Sequence, residues 1–359
     1  MKENPDDPAP RIALARLLLL QGKGKEALDT VQPSLTKYPK NPSLIDVVGR
    51  AQLALNNPTA AISTFNTLVA EAPKSSPAHE DLAEAYGASN NIELALTEAR
   101  KAVALDPKNE NAQLTLVRLL ANHHDYGEAG TIIASLSKTY PKDHRVPELA
   151  GLLALAQNRP QDAIVAFQSA LALNDNGVDR TRLAIAQMHA GHGQEAEKTL
   201  LDWLAEHKQD TVARMNLADF YMSNNRLAEA KTQYEQIIQQ VPNNVIAENN
   251  LAWVLSQLGQ PKEALAHAQH AAAGAPNNPQ VLDTLGIVLL QNQKADDAVT
   301  KLRSAVQAAP NSPEIQFHLA QALVGAGSKT EARTVLQKLL ANYQSFNDRQ
   351  QAQKLLATL

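Results

Sequence analysis

The sequence predicts an all-α solenoid, a right-handed superhelix of about ten helix-turn-helix repeats followed by a C-terminal capping helix. Alanine recurs in one frame every 34 residues, with a single step of 33, and a period of that length is typical of repeat architectures. Proline recurs at the same spacing, and each unit contains two segments with helical periodicity. The alanines are Ala27, Ala61, Ala95, Ala129, Ala163, Ala196, Ala230, Ala264, Ala298 and Ala332, and the prolines are Pro5, Pro39, Pro73, Pro107, Pro141, Pro242, Pro276 and Pro310.

The unit from Pro242 to Pro276 shows how one repeat is built. Residues 246–257 place apolar side chains at helical spacing and predict helix A. Pro261 follows a break in the pattern and stands where a helix tolerates a missing N–H, so helix B is predicted over 262–274. Other helix starts have a polar residue before a proline and are expected to be N-capped: Asn57–Pro58, Ser76–Pro77, Arg159–Pro160, Asn278–Pro279 and Ser312–Pro313.

Two frames of small residues predict where the helices touch. Helix A carries a large apolar residue followed by a small one, as in Leu251–Ala252, and Leu116–Val117 is the one departure. Helices approach closely where side chains are small, so this pair and the alanine frame are expected in the core. Trp203 falls in a helix-B core frame and is predicted to be structural. The neighbouring core frame of helix B contains Phe65, Ile133, Phe167, Leu200, Tyr234, Leu302 and Leu336.

This pattern resembles the tetratricopeptide repeat (TPR) family, and the resemblance covers nearly the whole chain. It implies a scaffold without catalytic activity, whose partner is a protein or peptide held along a concave wall of A helices. The tryptophan that is frequent near the start of helix A in this family is absent. The residues that stand there are Arg11, Ile45, His79, Gln113, Pro147, Arg180, Arg214, Glu248, Leu282 and Gln316.

The single 33-residue step predicts a division of the chain. The proline frame lapses at Asp175, so helix A of the sixth repeat is expected to be shortened or entered differently. We therefore predict repeats one to five in 1–174, repeats six to ten in 175–344 and a capping helix in 345–359. Residues 1–8 resemble the tail of an earlier repeat, and since terminal repeats need capping, the N-terminal end is expected to continue a longer array.

Composition disfavours several classes of partner and chemistry. A net charge of −4 and a pI near 6.2 give no basic field for nucleic acid or an anionic membrane surface. No segment reaches the roughly 18 apolar residues that a membrane span needs. Without cysteine, the chain has no disulfide, thiolate nucleophile or cysteine-ligated zinc.

Candidate catalytic groups are few, and we predict no enzyme activity, cofactor or metal. His189 with His192, and His267 with His270, have the three-residue spacing of two metal ligands on one helix face. No third ligand lies at helical spacing beside either pair, so solvated histidines are the preferred interpretation. Glu80 and Glu84 lie one turn apart and are interpreted as a solvated helix face.

The predicted binding surface is the concave wall of the later A helices. Asn216 and Asn250 occupy equivalent sites and could hold an extended peptide backbone, while Trp253, Met215, Met222 and Phe317 could supply apolar anchors. The alternative is that Trp253 and Phe317 pack between neighbouring A helices. The predicted peptide-binding residues are Arg182, Met215, Asn216, Asp219, Met222, Asn249, Asn250, Trp253, Asp283, Thr284, Phe317 and His318, and a second, charged groove contains Arg16, Arg50, Glu80, Glu84 and Arg118.

The last three repeats also resemble the C-terminus of TPR lipoproteins associated with PEP-CTERM/exosortase and exopolysaccharide gene clusters. The residues that carry this are Asn250–Trp253, Asn278–Gly286, Ala309–Ala320 and Phe346–Leu356. The resemblance implies a periplasmic, envelope-associated scaffold in exopolysaccharide secretion or protein sorting, with the cytoplasm as the other compartment open to it. The alternative function is a substrate-presenting or regulatory arm of a larger enzyme. Self-association is a further expectation.

Overall fold

A computed structural model describes residues 7–359, and throughout this range the secondary structure is helical, without a strand. Odd-numbered helices up to α19 are the A helices of ten repeats, even-numbered helices are their B helices, and α21 follows the last repeat. Pro5 and most of the predicted tail of an earlier repeat lie outside the described residues. The helices are α1 (Ala9–Leu20), α2 (Gly24–Lys37), α3 (Pro42–Ala54), α4 (Pro58–Glu71), α5 (Ser76–Ala88), α6 (Ile92–Leu105), α7 (Glu110–Asn122), α8 (Tyr126–Thr139), α9 (Arg145–Ala156), α10 (Pro160–Leu173), α11 (Gly177–His189), α12 (Gly193–Glu206), α13 (Thr211–Ser223), α14 (Leu227–Gln240), α15 (Val245–Gln257), α16 (Pro261–Gly274), α17 (Pro279–Gln291), α18 (Ala295–Ala308), α19 (Pro313–Gly325), α20 (Lys329–Asn342) and α21 (Arg349–Ala357).

The alanine frame lies in the core, as predicted. All ten alanines from Ala27 to Ala332 are fully buried, and so are Phe65, Phe167 and Tyr234 of the B helices. Close packing of this kind leaves no room for added methylene groups.

Large and small residues compensate across each hairpin. Gly49 is the small member of its pair, and a Cβ there would lie 2.4 Å from the ring of Phe65. The same relation joins Gly151 to Phe167, at 2.7 Å. In these two hairpins glycine stands in helix A where helix B places a phenylalanine against it, and Gly286 stands in the same way against Leu302.

Polar side chains cap the helices that follow the B-to-A linkers. Asn41, Asn109, Asn244 and Asn278 each accept hydrogen bonds from backbone N–H groups of the first turn, which would otherwise be unpaired. In α5 the cap is Ser75, one residue earlier than predicted.

The 33-residue step arises in a linker rather than in a helix. Helix α11 spans 13 residues, like α3 and α5, so the expectation of a shortened helix is wrong. Three residues, 174–176, separate α10 from α11, whereas four residues, 38–41, separate α2 from α3. The helix is entered differently, since Asn176 is extended and caps it without the usual turn.

The chain forms two compact units, unit 1 up to His192 and unit 2 from Gly193 to Leu359. Helix α11 packs against α10, so the A helix of the sixth repeat belongs to unit 1. The predicted grouping of repeats one to five in 1–174 and six to ten in 175–344 stays a prediction. In unit 2, α21 packs against α20, and its Ala352 is buried beside Phe317, Leu336 and Leu339, as expected of a capping helix.

Candidate functional site

The A-face of unit 2, meaning the solvent-facing side of α13, α15, α17 and α19, carries a polar network that begins in the core. The ring of Tyr234, on α14, is fully buried, and its hydroxyl donates to Oδ1 of Asp219 on α13 at 2.5 Å. Asn250, on α15, places Nδ2 3.4 Å from both Asp219 Oδ1 and Tyr234 Oη. Burial and the bond to Asp219 raise the pKa of Tyr234, so its hydroxyl stays a donor.

Trp253 lies one helical turn after Asn250 on the same helix and is half-buried. Its indole N–H makes no hydrogen bond to any residue of 7–359, so this donor remains available. Met215 and Met222 are also half-buried, and the sulfur of Met222 lies 3.7 Å from Tyr234 Oη. These side chains offer apolar surface beside the network.

The two asparagines of the predicted ladder are not equivalent in the structure. Asn216 donates its amide to the carbonyl of Val212 in its own helix, at 2.9 Å, whereas Asn250 joins the neighbouring repeat. Asn249 donates to Asn250 Oδ1 at 3.3 Å, and Asn249 Oδ1 is buried without a hydrogen bond to any described residue. Of the two asparagines in the predicted ladder, Asn250 alone presents its amide in a network that spans two repeats.

Two predicted contact residues are buried, which corrects their assignment to an open wall. Phe317 is 2% exposed and packs with the last hairpin and α21, and Thr284 is 6% exposed. Asp283 and His318 are half-buried and face each other across α17 and α19, with Nδ1 2.8 Å from Oδ1. The structure thus brings together Asp219, Asn250 and Trp253 but excludes Phe317 and Thr284.

The A-face of unit 1, formed by the solvent-facing side of its A helices from α1 to α11, is a ladder of ion pairs between successive repeats. Asp46 accepts from Arg16 at 3.0 Å and from Arg50 at 2.6 Å. Arg50 also lies 2.5 Å from Asp81, a residue that the prediction missed although it holds the same repeat position as Asn216 and Asn250. Burial raises the pKa of Asp81 to about 8, against the attraction of Arg50.

The ladder continues through α7 to α11 of unit 1. Arg118 donates to Glu84 at 2.8 Å, and Arg182 pairs with both Glu148 and Asp179. Arg182 therefore lies with the charged residues of unit 1 rather than with the asparagines. Between these pairs a groove of about 320 Å³ contains Glu80, whose pKa is raised by burial and by Glu84.

The residues that stand at the position of the absent family tryptophan connect helix A to helix B and to the preceding linker. His79 lies 2.6 Å from Glu98 and 3.1 Å from the carbonyl of Pro73. Gln113 and Arg214 likewise donate to the carbonyl six residues earlier, at 2.7 and 2.9 Å. A polar residue recurs at this position in several repeats, and this recurrence is the sequence signal that could have identified these contacts.

Glu248 holds this position on α15 and contacts the histidine pair of α16. Glu248 is buried, and its two carboxylate oxygens lie 2.5 Å from His267 Nδ1 and 2.8 Å from His270 Nδ1. His124, in the turn between α7 and α8, contacts the hydroxyl of Tyr126 at 2.6 Å. Among residues 7–359 no group of three or more potential ligands is arranged to hold a metal.

None of the described helices combines the length and apolar character needed to cross a membrane.

Comparisons with known proteins agree with the repeat pattern. Models described as tetratricopeptide repeat match residues 88–153, 154–214, 221–286 and 289–359, and further models of that description match 49–110 and 8–33. The chain is 34% identical over 106 residues to the type IV pilus assembly protein PilF of Pseudomonas aeruginosa. This stretch is 29% of the chain and 42% of PilF, so the match spans less than half of that relative.

A solved structure shares the helical fold at low identity. The APC/C hetero-tetramer Cut9–Hcn1 matches with a TM-score of 0.52 and 13% identity, over 98% of this chain and 83% of that chain. The TPR domain of P58(IPK) matches with a TM-score of 0.32 and 18% identity, over 90% and 99%. Since family models match well over half of its residues, the chain belongs to the tetratricopeptide repeat family.

Proposed function

We propose that this protein is a non-catalytic scaffold that binds an extended segment of a partner protein along the A-face of unit 2. The observation that carries the proposal is the network of Tyr234, Asp219 and Asn250, which spans two repeats beside a half-buried tryptophan. The tetratricopeptide repeats support the general role of a protein-interaction scaffold.

The network gives this surface groups that suit a peptide backbone. Tyr234 and Asn250 both donate a hydrogen bond to Oδ1 of Asp219. The other carboxylate oxygen of Asp219, Oδ2, makes no hydrogen bond within residues 7–359 and remains free to accept one from a backbone N–H. Because the tyrosine hydroxyl and the asparagine fix the carboxylate, little side-chain entropy is lost on binding. Trp253 then supplies the apolar contact that typically dominates binding energy.

We further propose that the protein acts in the bacterial envelope, on its periplasmic side. The match over 106 residues to a pilus assembly protein supports a location in the envelope. The resemblance of the last three repeats to exopolysaccharide-associated lipoproteins gains no support from these comparisons, and that role remains a prediction.

Capture of partners from bacterial envelope extracts tests the binding surface. An Asn250→Ala/Trp253→Ala variant should lose the partner by tenfold or more, since each tenfold loss corresponds to about 1.4 kcal/mol and anchor residues commonly contribute more. Tyr234→Phe removes only the hydroxyl and should weaken capture to a smaller extent.

Leu201→Ala, an exposed apolar residue on α12, is the matched control and should leave capture unchanged. A Trp203→Phe background isolates Trp253, whose fluorescence should change when the captured partner is titrated. Equal capture by the double variant and the unaltered protein would refute the assignment.

A further inference from the structure

A groove of about 550 Å³ lies between α16 and α18, the B helices of the eighth and ninth repeats. Leu285 and Leu289 of α17 form its floor, and both are nearly buried. All of the lining residues belong to unit 2, so the groove is a feature of one compact unit. The walls consist of Gln269, Ala272 and Ala273 on α16 and Asp297, Thr300 and Lys301 on α18.

The α16 wall lacks a large side chain that the repeat pattern provides elsewhere. Ala272 stands where the neighbouring repeats have Ile238 and Val306, and where the last repeat has Leu340. Those three aliphatic side chains are half-buried. A methyl group in their place leaves space above the leucine floor, and an aliphatic group that fills such space gains hydrophobic and dispersion energy.

The same wall lacks a cation that joins successive B helices elsewhere. Gln269 and Asp297 hold positions that carry an arginine and a glutamate in other repeats. With glutamine in place of the arginine, the carboxylate of Asp297 makes no ion pair or hydrogen bond with any side chain of residues 7–359. The ion pairs at the equivalent positions are Arg100–Glu128, at 2.7 Å, and Arg303–Glu331, at 2.8 Å.

Lys301 lacks a partner for a separate reason. In the eighth repeat the equivalent residue, His267, contacts Glu248, which holds the position of the absent family tryptophan. In the ninth repeat that position is Leu282, which offers no acceptor. The ammonium of Lys301 therefore makes no contact of this kind with the described part of the chain. Asp297 and Lys301 lie four residues apart on α18, about 6 Å along the helix axis.

We propose that this groove binds a helix of a partner protein that carries one basic residue, one acidic residue four positions away and an aliphatic residue between them. The basic group faces Asp297, the acidic group faces Lys301, and the aliphatic side chain fills the space beside Ala272. Four residues of a partner helix span the same 6 Å or so as the two charges on α18.

A helix suits the groove better than an extended segment. The lining covers five residues of each wall, 269–273 and 297–301, so the three groups must be presented within about one turn. In an extended segment the residue between two side chains of one face points to the opposite face. A helix instead places residues i, i+3 and i+4 on one face.

The contact is small, which sets the strength expected. Exposed ion pairs contribute little affinity and mainly select the partner. Binding should therefore be reversible, with most of the affinity supplied by the aliphatic side chain.

Fluorescence anisotropy with a labelled, hydrocarbon-stapled peptide tests the proposal on the 359-residue protein. The peptide has about 14 residues, a length at which an unstapled helix is marginal, and carries Glu, Leu and Arg at positions i, i+3 and i+4 of an alanine-rich helix. It should bind with a dissociation constant of about 10–100 µM. An unstapled peptide with a central proline should bind at least tenfold more weakly, because proline breaks the helix. No binding of the stapled peptide at about 1 mM, or equal binding of the two peptides, would overturn the proposal.

A variant with a filled groove locates the site. Gln269→Arg/Ala272→Ile restores the residue types of the other repeats, so the new arginine should pair with Asp297 and the new isoleucine should cover the floor. Binding of the stapled peptide should fall at least tenfold, while circular dichroism and thermal unfolding should show a folded protein of at least equal stability. Unchanged binding by this folded variant would exclude the groove as the site.

A charge change tests the partner's chemistry. Asp297→Lys should weaken binding of the Glu/Arg peptide at least threefold, and a stapled peptide with Glu at both positions should bind this variant at least threefold better than the unaltered protein. Asp296→Lys is the matched control, because Asp296 is an exposed neighbour on α18 that does not line the groove, and it should leave both affinities unchanged. Equal effects of the two substitutions would contradict the assigned pairing.

Discussion

Each turn from an A helix to a B helix contains one residue in the left-handed backbone region. Glycine holds this position at Gly22, Gly191, Gly259 and Gly327, but other residues hold it elsewhere, including His124 and Gln293. A side chain with a Cβ strains this conformation by about 1–2 kcal/mol, less for asparagine than for other residues. His124 is thus a turn residue.

Gln293→Gly should raise the free energy of unfolding by about 0.5–1 kcal/mol, because glycine removes the strain at φ 61° and loses some of the gain to chain entropy. Gly259→Ala, at φ 72°, should have the opposite sign. Urea unfolding followed by circular dichroism measures both changes. Equal stability of all three proteins would contradict this account of the turn.

At the scale of helices, the sequence predicted packing better than it predicted exposure. The alanine frame and the large-small pairs were identifiable because the same helix-helix contact recurs in every repeat. Phe317 and Thr284 were misplaced because a helical wheel gives the direction of a side chain but not the depth of what surrounds it. Asn216 was misjudged for a related reason, since its amide turns back to Val212, a rotamer that no spacing reveals.

Gly49→Ala tests the closest approach of two helices. The new Cβ would meet the ring of Phe65, a buried group that has no space to move, so the variant should lose about 1–3 kcal/mol of stability. Gly130→Ala, inside α8, is the matched control because nothing lies within 4 Å of its added Cβ. This control should gain up to about 1 kcal/mol from helix propensity, and thermal unfolding of both variants decides whether contact or propensity dominates.

For the whole molecule, the two units differ in the chemistry of their A-faces. Unit 1 carries an ion-pair ladder with the buried carboxylate of Asp81, and unit 2 carries amides, a tyrosine hydroxyl and a tryptophan. Both tryptophans, Trp203 and Trp253, lie in unit 2, so their fluorescence follows that unit alone, whereas circular dichroism follows all helices. Comparison of the two signals therefore makes the pH response of unit 1 measurable.

The raised pKa of Asp81 predicts lower stability at alkaline pH. Its folded pKa of about 8 exceeds the ordinary value of 3.8, so the folded state binds more protons between these values and stability falls as pH rises through this window. Asp81→Asn should be more stable than the unaltered protein at pH 8, with a smaller difference at pH 5. The change should be larger by circular dichroism than by tryptophan fluorescence, and a difference independent of pH would contradict the assignment.

The polar residues that replace the family tryptophan restrict how such an array can change by recombination. His79 with Glu98, and Glu248 with His267 and His270, are joined within single hairpins. A crossover between helix A and helix B would separate these partners and leave a buried charge without its complement, which costs several kcal/mol. A crossover in a B-to-A linker moves each hairpin intact. Insertion and loss of repeats are therefore tolerated at one kind of junction and penalised at the other.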